Sequence, residues 1–525
     1  MATTAIILVL ATLVLLATLI ASGAWFADAL APRSSTRPGK ALPVRADETA
    51  LDRAVAPLLA RAPGRSGAVL IETGRDAFGA RALSARRAGR SLDLQYYAWK
   101  ADHVGRMLGA EILAAAERGV RVRILLDDIN HTGHDPVLLA LNAHPNIEIR
   151  IHNPLRARAG AWRVVEMIQR VQALNHRMHN KCWIADGRVA IVGGRNIGAE
   201  YFDANKERNF RDLDLMAIGP AVDDATRAFD AYWNCGGVIP IEELSAQTPM
   251  GDNALRDLFE AARTETAARG DLDDLDKSPK LALFRDAGGE PAFAPHWCDE
   301  LDIVADPPQK WRERPGPRWL VFQLTARIRA ARSEALLVSP YFVPRRRLVR
   351  ELKRAVRRGA KVGVVTNTLA ATDVLAVHGG YMRYRRRLLR RGVEIYEMRA
   401  GAAADREGQG VFGSSGASLH TKAFVVDGET GFVGSYNLDP RSARLNTEMG
   451  ALFRSRPLAA ELRAYWEALA SPRMSYAVER GPGGALRWRD GAVTPPVLLE
   501  VEPQSTLRQR VVAMVCRYLP IQAVL

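Results

Sequence analysis

Cysteine is scarce in this chain of 525 residues. The four present (Cys182, Cys235, Cys298, Cys516) are widely scattered, with no CxxC pair and no Cys/His ligand spacing. That excludes a disulfide-stapled scaffold and a zinc module, and leaves the cysteines as small apolar fillers. Acidic side chains are also in deficit. Against 73 Lys+Arg stand 58 Asp+Glu, a net charge of +15 and a pI near 9.9. The balance points to an anionic partner, nucleic acid or a membrane surface, without separating the two. No carboxylate cluster suited to Mg²⁺ is evident, and neither a metal nor a cofactor is expected.

Charge is missing altogether from Met1 to Ala27. The apolar run Ala5–Ala27 exceeds the roughly 20 residues that a spanning helix needs, and Trp25 and Phe26 sit where an interfacial anchor belongs. A cleaved signal peptide is the rival, helped by the small residues of ADALA. The run is too long for one, and no Lys or Arg precedes it. Arg33, Arg37, Lys40 and Arg45 follow at once, so the positive-inside rule holds the body on the cytoplasmic side of a bacterial cell membrane. The expectation is a transmembrane anchor over residues 1–31 and a linker and lead-in over 32–63.

The rest of the chain repeats itself. SLDLQYYAWKAD (Ser91–Asp102) is a strand ending in aromatics, followed by a helix and AAERGVRVRILLDD (Ala115–Asp128). EALLVSPYFVPRRR (Glu334–Arg347) is another such strand, followed by an amphipathic helix with Leu348, Val349, Leu352, Ala355 and Val356 and then AVRRGAKVGVVTNT (Ala355–Thr368). NIEIRIHNP (Asn146–Pro154) then matches GVEIYEM (Gly392–Met398). Each half reads strand–helix–strand–helix–strand, the rhythm of a mixed α/β sheet flanked by helices. We expect two tandem domains over 64–247 and 310–475, a polar insertion or connection over 248–309, and a C-terminal extension over 476–525. The extension's apolar residues recur at helical spacing among Arg508, Arg510 and Arg517. It reads equally as a core-docked helix or a membrane-surface helix.

The repeat is sharpest in one stretch. HNKCWIADGRVAIVGGRN (His179–Asn196) contains His179, Lys181, Asp186, Gly193 and Asn196. His420, Lys422, Asp427, Gly434 and Asn437 each lie 241 residues later. A single HxK is weak evidence; two copies with five positions in register are strong. His and Lys at i and i+2 share a strand face, and Asp-Gly between apolar runs signals a two-residue hairpin. Ala185 is then expected to pair with Arg188 and Val426 with Glu429, so that His179 faces Gly194 and His420 faces Ser435. The hairpins fold their polar ends together. They leave Asp186 and Asp427 roughly 16 Å from the lysines at about 3.3 Å per residue, as turn or structural acids rather than catalytic ones.

Two His, two Lys and two Asn converging across a pseudo-twofold suit a phosphodiester. The lysines and asparagines hold phosphoryl oxygens as phosphorus becomes five-coordinate. One His attacks phosphorus and the other protonates the leaving alcohol. Each His needs a partner for its other ring nitrogen, and Asp212 or Asp214 and Glu448 stand just after the two hairpins.

These residues are the duplicated HxKx₄Dx₆GxxN signature, and the chain resembles the phospholipase D superfamily from about Gly64 to Arg456. RMHNKCWIADGRVAIVGGRNIGAEYFD, GSSGASLHTKAFVVDG and the tail EPQSTLRQRVVAMVCRYLPIQAVL look more narrowly like the C-type bacterial cardiolipin synthases. The resemblance implies a membrane-bound phosphatidyltransferase with a phosphatidyl-histidine intermediate. Its acceptor would be phosphatidylglycerol, and its donor phosphatidylethanolamine or a second phosphatidylglycerol. It further implies His179 as nucleophile and His420 as general acid and base. The copies differ where Gly194 answers to Ser435, placing a hydroxyl beside only one His.

Three other readings compete. A nucleic-acid phosphodiesterase would draw on MRYRRRLLRR (Met382–Arg391), although Tyr381, Met382, Leu388 and Leu389 give that stretch a buried stripe. A hydrolytic phospholipase differs only in admitting water second. A non-catalytic binding protein fits least, because both copies keep every motif residue. The expected partners are anionic and zwitterionic phospholipids in a membrane, not nucleic acid.

Overall fold

Short β-branched runs alternating with amphipathic helices build two sheets in the computed structural model. It describes Thr12, Thr18 and residues 38–131, 133–158, 160–170, 174–268, 275–285, 293–401 and 417–519. The expected anchor falls outside the described residues apart from Thr12 and Thr18. Among the described residues no helix is long and apolar enough to cross a membrane.

The first half supplies β1 (Gly67–Ile71), β2 (Ser91–Tyr96), β3 (Arg121–Asp127), β4 (Ile147–His152), β5 (Cys182–Ala185), β6 (Val189–Gly193), β7 (Asn209–Arg211), β8 (Asp214–Ile218) and β9 (Val238–Pro240). With β10 (His296–Trp297) they form a nine-stranded sheet in the order β10-β1-β8-β6-β5-β2-β3-β4-β9, from which β7 stands apart. The second half supplies β11 (Glu300–Ala305), β12 (Glu334–Val338), β13 (Lys361–Asn367), β14 (Glu394–Met398), β15 (Ala417–Leu419), β16 (Ala423–Val426), β17 (Thr430–Gly434), β18 (Met449–Arg454), β19 (Ser475–Arg480), β20 (Leu486–Asp490) and β21 (Val497–Leu499). Its ten-stranded sheet runs β11-β18-β17-β16-β12-β13-β14-β19-β20-β21. The parallel strands are β2, β3 and β4 in one half and β12, β13 and β14 in the other, each trio joined through helices; the hairpins run antiparallel beside them. The fold is therefore a duplicated mixed α/β architecture.

One apolar core belongs to both halves. It combines Leu70, Ile184, Val192 and Leu215 with Leu336, Val425, Val433 and Phe453. Each half lends it a helix: Ala221–Trp233, whose Tyr232 hydroxyl donates to the Asp306 carbonyl at 2.7 Å, and Arg456–Ala470, with buried Leu458, Leu462 and Trp466. Separate cores cover the outer faces of the two sheets.

The stretch 248–309, expected as a polar insertion or connection, contributes to the core and to both sheets. Leu255, Phe259 and Ala262 recur at helical spacing on Asp252–Ala268 and join the first outer core, as do Leu281 to Phe284. Its last residues extend both sheets, as β10 and β11. Apolar spacing inside a polar stretch makes this segment structural. The expected C-terminal extension likewise adds β19, β20 and β21 to the second sheet before its helix, Leu507–Tyr518.

Much of the buried charge outside the site is paired. Arg81 donates to Asp214 at 2.9 Å and to the Tyr96 hydroxyl at 2.9 Å, with both charged side chains essentially inaccessible. Arg385, from the Arg-rich run, is held between Glu397 and Glu502 and offers nothing to an external anion. Removing one member of such a pair strands the other charge. Asp214→Ala should therefore lower unfolding stability by about 3–5 kcal/mol, read by denaturant melts, and Arg81→Met with Asp214→Leu should recover most of it.

Candidate functional site

Both hairpins turn at Asp-Gly, with Asp186 and Gly187 at φ 53° and 65° and Asp427 and Gly428 at 54° and 63°. Left-handed backbone at both positions is what Asp-Gly accommodates. The expected register is off by one residue. Ala185 pairs with Val189 and Val426 with Thr430, because Arg188 and Glu429 close the turn through their N–H groups and drop out of the ladder. Three loop residues, not two, separate the strands. The Asp carboxylates accept the N–H groups of Gly89, Arg90 and Ser91 in one half and of Arg332, Ser333 and Glu334 in the other. Each acid ties its turn to the start of the neighbouring strand, β2 or β12.

The histidines are held across the two halves. His179 N–H donates to the Thr447 carbonyl at 2.9 Å, which sets the next residue, Glu448, against His179 Nδ1 at 2.8 Å. By the same pattern His420 N–H donates to the Arg211 carbonyl at 2.8 Å, and the next residue, Asp212, meets His420 Nδ1 at 2.5 Å. β7 and β15 pair in parallel to make the second contact. Asp214 is taken up by Arg81 and is no partner for either histidine. A carboxylate at Nδ1 fixes that nitrogen as the N–H and leaves Nε2 with its lone pair.

The Gly194 and Ser435 difference acts through these acids. A Cβ on Gly194 would lie 2.2 Å from Asp212 Oδ1, so the glycine makes room for the carboxylate of His420. Ser435 donates its hydroxyl to Glu448, the acid of His179, and Ser442 donates to the other oxygen of Glu448 at 2.7 Å. The expected placement of the hydroxyl beside His420, its own half's histidine, is corrected: it serves His179. The slipped register and the crossed acids account for the exchange.

Lys181 donates to the His179 carbonyl at 2.8 Å and Lys422 to the His420 carbonyl, leaving each ammonium two further donors. Both lysines act electrostatically on both histidines, so the four groups share one centre. Asn196 Nδ2 donates to the Tyr201 hydroxyl at 2.9 Å, and the buried Oδ1 atoms of Asn196 and Asn437 have no protein partner.

Desolvation pushes His179 down to about 4 against the pull of Glu448, and pushes His420 down as well. It also pushes Lys181 well down and Lys422 to about 8. Against the upward push of burial, the contacts with His179 and His420 and the nearby lysines hold Glu448 and Asp212 below the usual carboxylate range. The resting site thus has neutral imidazoles and ionised acids. Among the described residues no group of three or more His, Cys, Asp and Glu converges as a metal site.

Sequence reasoning missed several supports. Tyr97 packs edge-on against His179, with ring centres 5.0 Å apart, and Lys181 lies over the same ring; Tyr201 and Phe210 pack against His420. The aromatic end of SLDLQYYAWKAD was the available signal for Tyr97. Arg195 bridges the carbonyls of Ile71, Tyr201 and Asp212, and Asp306 accepts the Glu448 N–H while pairing with buried Lys310. Arg195 lies inside the first motif stretch at a position that is not repeated, where the second copy has Tyr436, and Asp306 lies outside the motif.

Two sheets sharing one crossed His/Lys centre define a duplicated two-histidine class. A family model, "Cardiolipin synthase, PLD-like domain", matches residues 84–233 and 324–470. The chain is 39% identical over 477 residues to cardiolipin synthase C of Escherichia coli K12, spanning 90% of this chain and 99% of that protein. Cardiolipin synthase B of E. coli K12 is 24% identical over 398 residues, covering 75% of this chain and 78% of that protein. A phosphatidylserine synthase structure from Haemophilus influenzae shares the fold at TM-score 0.55 and 11% identity, over 90% of this chain and 99% of that one. The chain belongs to the PLD-like family of cardiolipin synthases.

Gly194→Ala should displace Asp212 from His420 and lower turnover by about 10- to 100-fold with little change in KM, whereas Asp427→Ala should cost about 1–3 kcal/mol of stability and leave kcat nearly intact. Steady-state kinetics beside thermal melts of both variants checks the contrast.

Proposed function

We propose that the chain is a phosphatidyltransferase that makes cardiolipin from phosphatidylglycerol and phosphatidylethanolamine, or from two phosphatidylglycerols. The observation that carries the reading is the pair of crossed His–carboxylate contacts around two shared lysines. The identity with cardiolipin synthase C over nearly the whole chain supports lipid over nucleic acid.

His179 Nε2 attacks the donor phosphorus, and the bond from phosphorus to the headgroup oxygen breaks. His420, protonated once the anionic diester is bound, gives its Nε2 proton to the leaving ethanolamine or glycerol oxygen. The result is a phosphatidyl group on His179 and a neutral His420. The terminal hydroxyl of phosphatidylglycerol then attacks phosphorus, gives its proton to His420 and displaces His179. A buried His179 held down to about 4 is a free nucleophile at neutral pH. Glu448, with the hydroxyls of Ser435 and Ser442 on its two oxygens, stabilises the positive charge that His179 gains.

Lys181 and Lys422 direct their spare N–H groups at the nonbridging oxygens, where charge grows as phosphorus becomes five-coordinate. Turned over, the Asn196 amide accepts the Tyr201 hydroxyl at Oδ1 and frees Nδ2 for a phosphoryl oxygen. Water in place of the second alcohol would yield phosphatidic acid, the hydrolase outcome.

The membrane is the substrate's solvent, and two segments fit it: the uncharged run before residue 28 and the helix Leu507–Tyr518. That helix docks through Ala513 and exposes Leu507, Val511, Met514, Val515 and Tyr518 beside Arg508 and Arg510. An exposed apolar stripe flanked by arginines suits the surface of an anionic bilayer. We place the chain in the bacterial cell membrane, anchored by its N-terminal run, with its body on the cytoplasmic side.

Mass spectrometry of lipids from membranes holding the protein, with phosphatidylglycerol and with or without phosphatidylethanolamine, tests the reaction. Cardiolipin with released ethanolamine supports the first donor and cardiolipin with glycerol the second. Phosphatidic acid alone would make it a hydrolase, and no lipid product would revive the nuclease. His179→Ala and His420→Ala should each lower turnover at least about a thousandfold. In the wild type, kcat/KM should fall as pH drops through about 4, where His179 gains a proton, and as pH rises through about 8, where Lys422 loses one. Lys422→Arg, which keeps its charge, should remove the alkaline limb.

A further inference from the structure

Behind the second catalytic loop lies a cleft of about 420 Å³, a volume within the range of ligand pockets. Its wall is apolar, formed by Trp319, Leu324 and Ile328 of the segment around helix Leu320–Ala330, and by Val343, Tyr384 and Leu438. Its rim is cationic. Arg345, Arg346 and Arg444 line it, and none of these guanidinium groups has an ion pair or hydrogen bond among the described residues. Three other arginines in this half are engaged: Arg385 by two glutamates, Arg441 by Asn175 and Arg347 over the Phe322 ring. One acid lines the cleft, Asp439, and its carboxylate is turned to cap Pro440–Arg444 through the Ser442 N–H at 2.7 Å.

An apolar slot with unneutralised arginines at its mouth matches a molecule with a hydrocarbon chain at one end and an anion at the other. Arginine forks fit phosphate oxygens with two parallel bonds, and an alkyl chain gains from leaving water for the apolar wall. Two features tie the cleft to lipid chemistry in particular. Tyr436 and Leu438 line it and flank Asn437, so its wall is continuous with the catalytic loop. Tyr384 follows helix Leu375–Met382, and on that helix Gly379 meets the C-terminal helix so closely that a Cβ would lie 2.6 Å from the Ala513 carbonyl oxygen. The exposed apolar stripe of that C-terminal helix is therefore one helix away from the cleft.

We propose that this cleft binds an anionic phospholipid, with one acyl chain along the partly exposed Val321, Leu348 and Tyr384 and the phosphate on Arg345, Arg346 and Arg444. It is a lipid site apart from the histidines, and it rests on the reading of the chain as a lipid enzyme. The arginine mouth selects for net negative charge, so phosphatidylglycerol or the cardiolipin product enters in preference to a zwitterionic lipid. An occupant there pulls the bilayer toward the Asn437 loop.

The test uses the full chain in vesicles carrying phosphatidylglycerol with a photoactivatable diazirine on one acyl chain, and maps the cross-links by peptide mass spectrometry. Label is expected on Leu320–Ala330 and on the peptide from Val343 to Leu348, both in the wild type and in His179→Ala, which cannot turn lipid over. Unlabelled phosphatidylglycerol should compete and phosphatidylcholine should not. Arg345→Glu with Arg444→Glu should weaken the labelling about tenfold at unchanged melting temperature. Thr325→Trp, which fills the slot from a partly exposed position, should abolish label there while leaving label near the histidines. Labelling confined to the catalytic centre would overturn the proposal, as would labelling insensitive to the charge reversals or competition by duplex DNA. Loss of cardiolipin formation with this labelling retained would instead count against the transferase reading alone.

Discussion

Everything in this molecule depends on two hydrogen bonds that cross it: Glu448 to His179 and Asp212 to His420. In each, one half's imidazole takes its tautomer from the other half's carboxylate. A histidine without its acid has no fixed proton and no counter-charge when it bonds to phosphorus or is protonated. Neither half can therefore be a site alone. The shared apolar core and the exchanged helices act as a precision mount, because an error of an ångström between the sheets would separate both acids from both rings.

The backbone makes the mount specific. His179 and His420 lie beside, not within, their hairpin strands, and their N–H groups are spent on Thr447 and Arg211. The residue after each of those carbonyls is the acid. One short intersheet contact thus sets main chain and side chain together, twice, in the same way. Asp306 and Lys310 brace Glu448 from below, and Arg195 braces the Asp212 carbonyl. These supports differ between the halves, as do Gly194 and Ser435. The near symmetry of the reacting groups sits on an unsymmetrical frame, and that is where two histidines can acquire two jobs.

Desolvation runs through the site with consistent effect. Burial holds both imidazoles neutral and lowers both lysines, while the crossed contacts keep the acids ionised. An empty site of this kind is short of negative charge, and a phosphodiester supplies it. A diester bound here would favour the protonated forms of both lysines and of His420.

Much was legible in the residues alone. Five motif positions repeated at one spacing named the side chains that the fold gathers, and the strand–helix rhythm named a duplicated α/β fold. The reach of a strand kept Asp186 and Asp427 out of the centre. These are local properties, set by periodicity and by distance along one chain. Only tertiary structure decided which acid serves which histidine, since the partners lie 269 and 208 residues apart and a spacing rule cannot choose between halves. It also decided the hairpin register, where Arg188 and Glu429 close a turn that Asp-Gly alone reads as shorter, and the use of Leu255, Phe259 and Leu281 as core within a polar stretch. Those outcomes depend on what packs against each segment, and a sequence lists its residues without their neighbours across the fold.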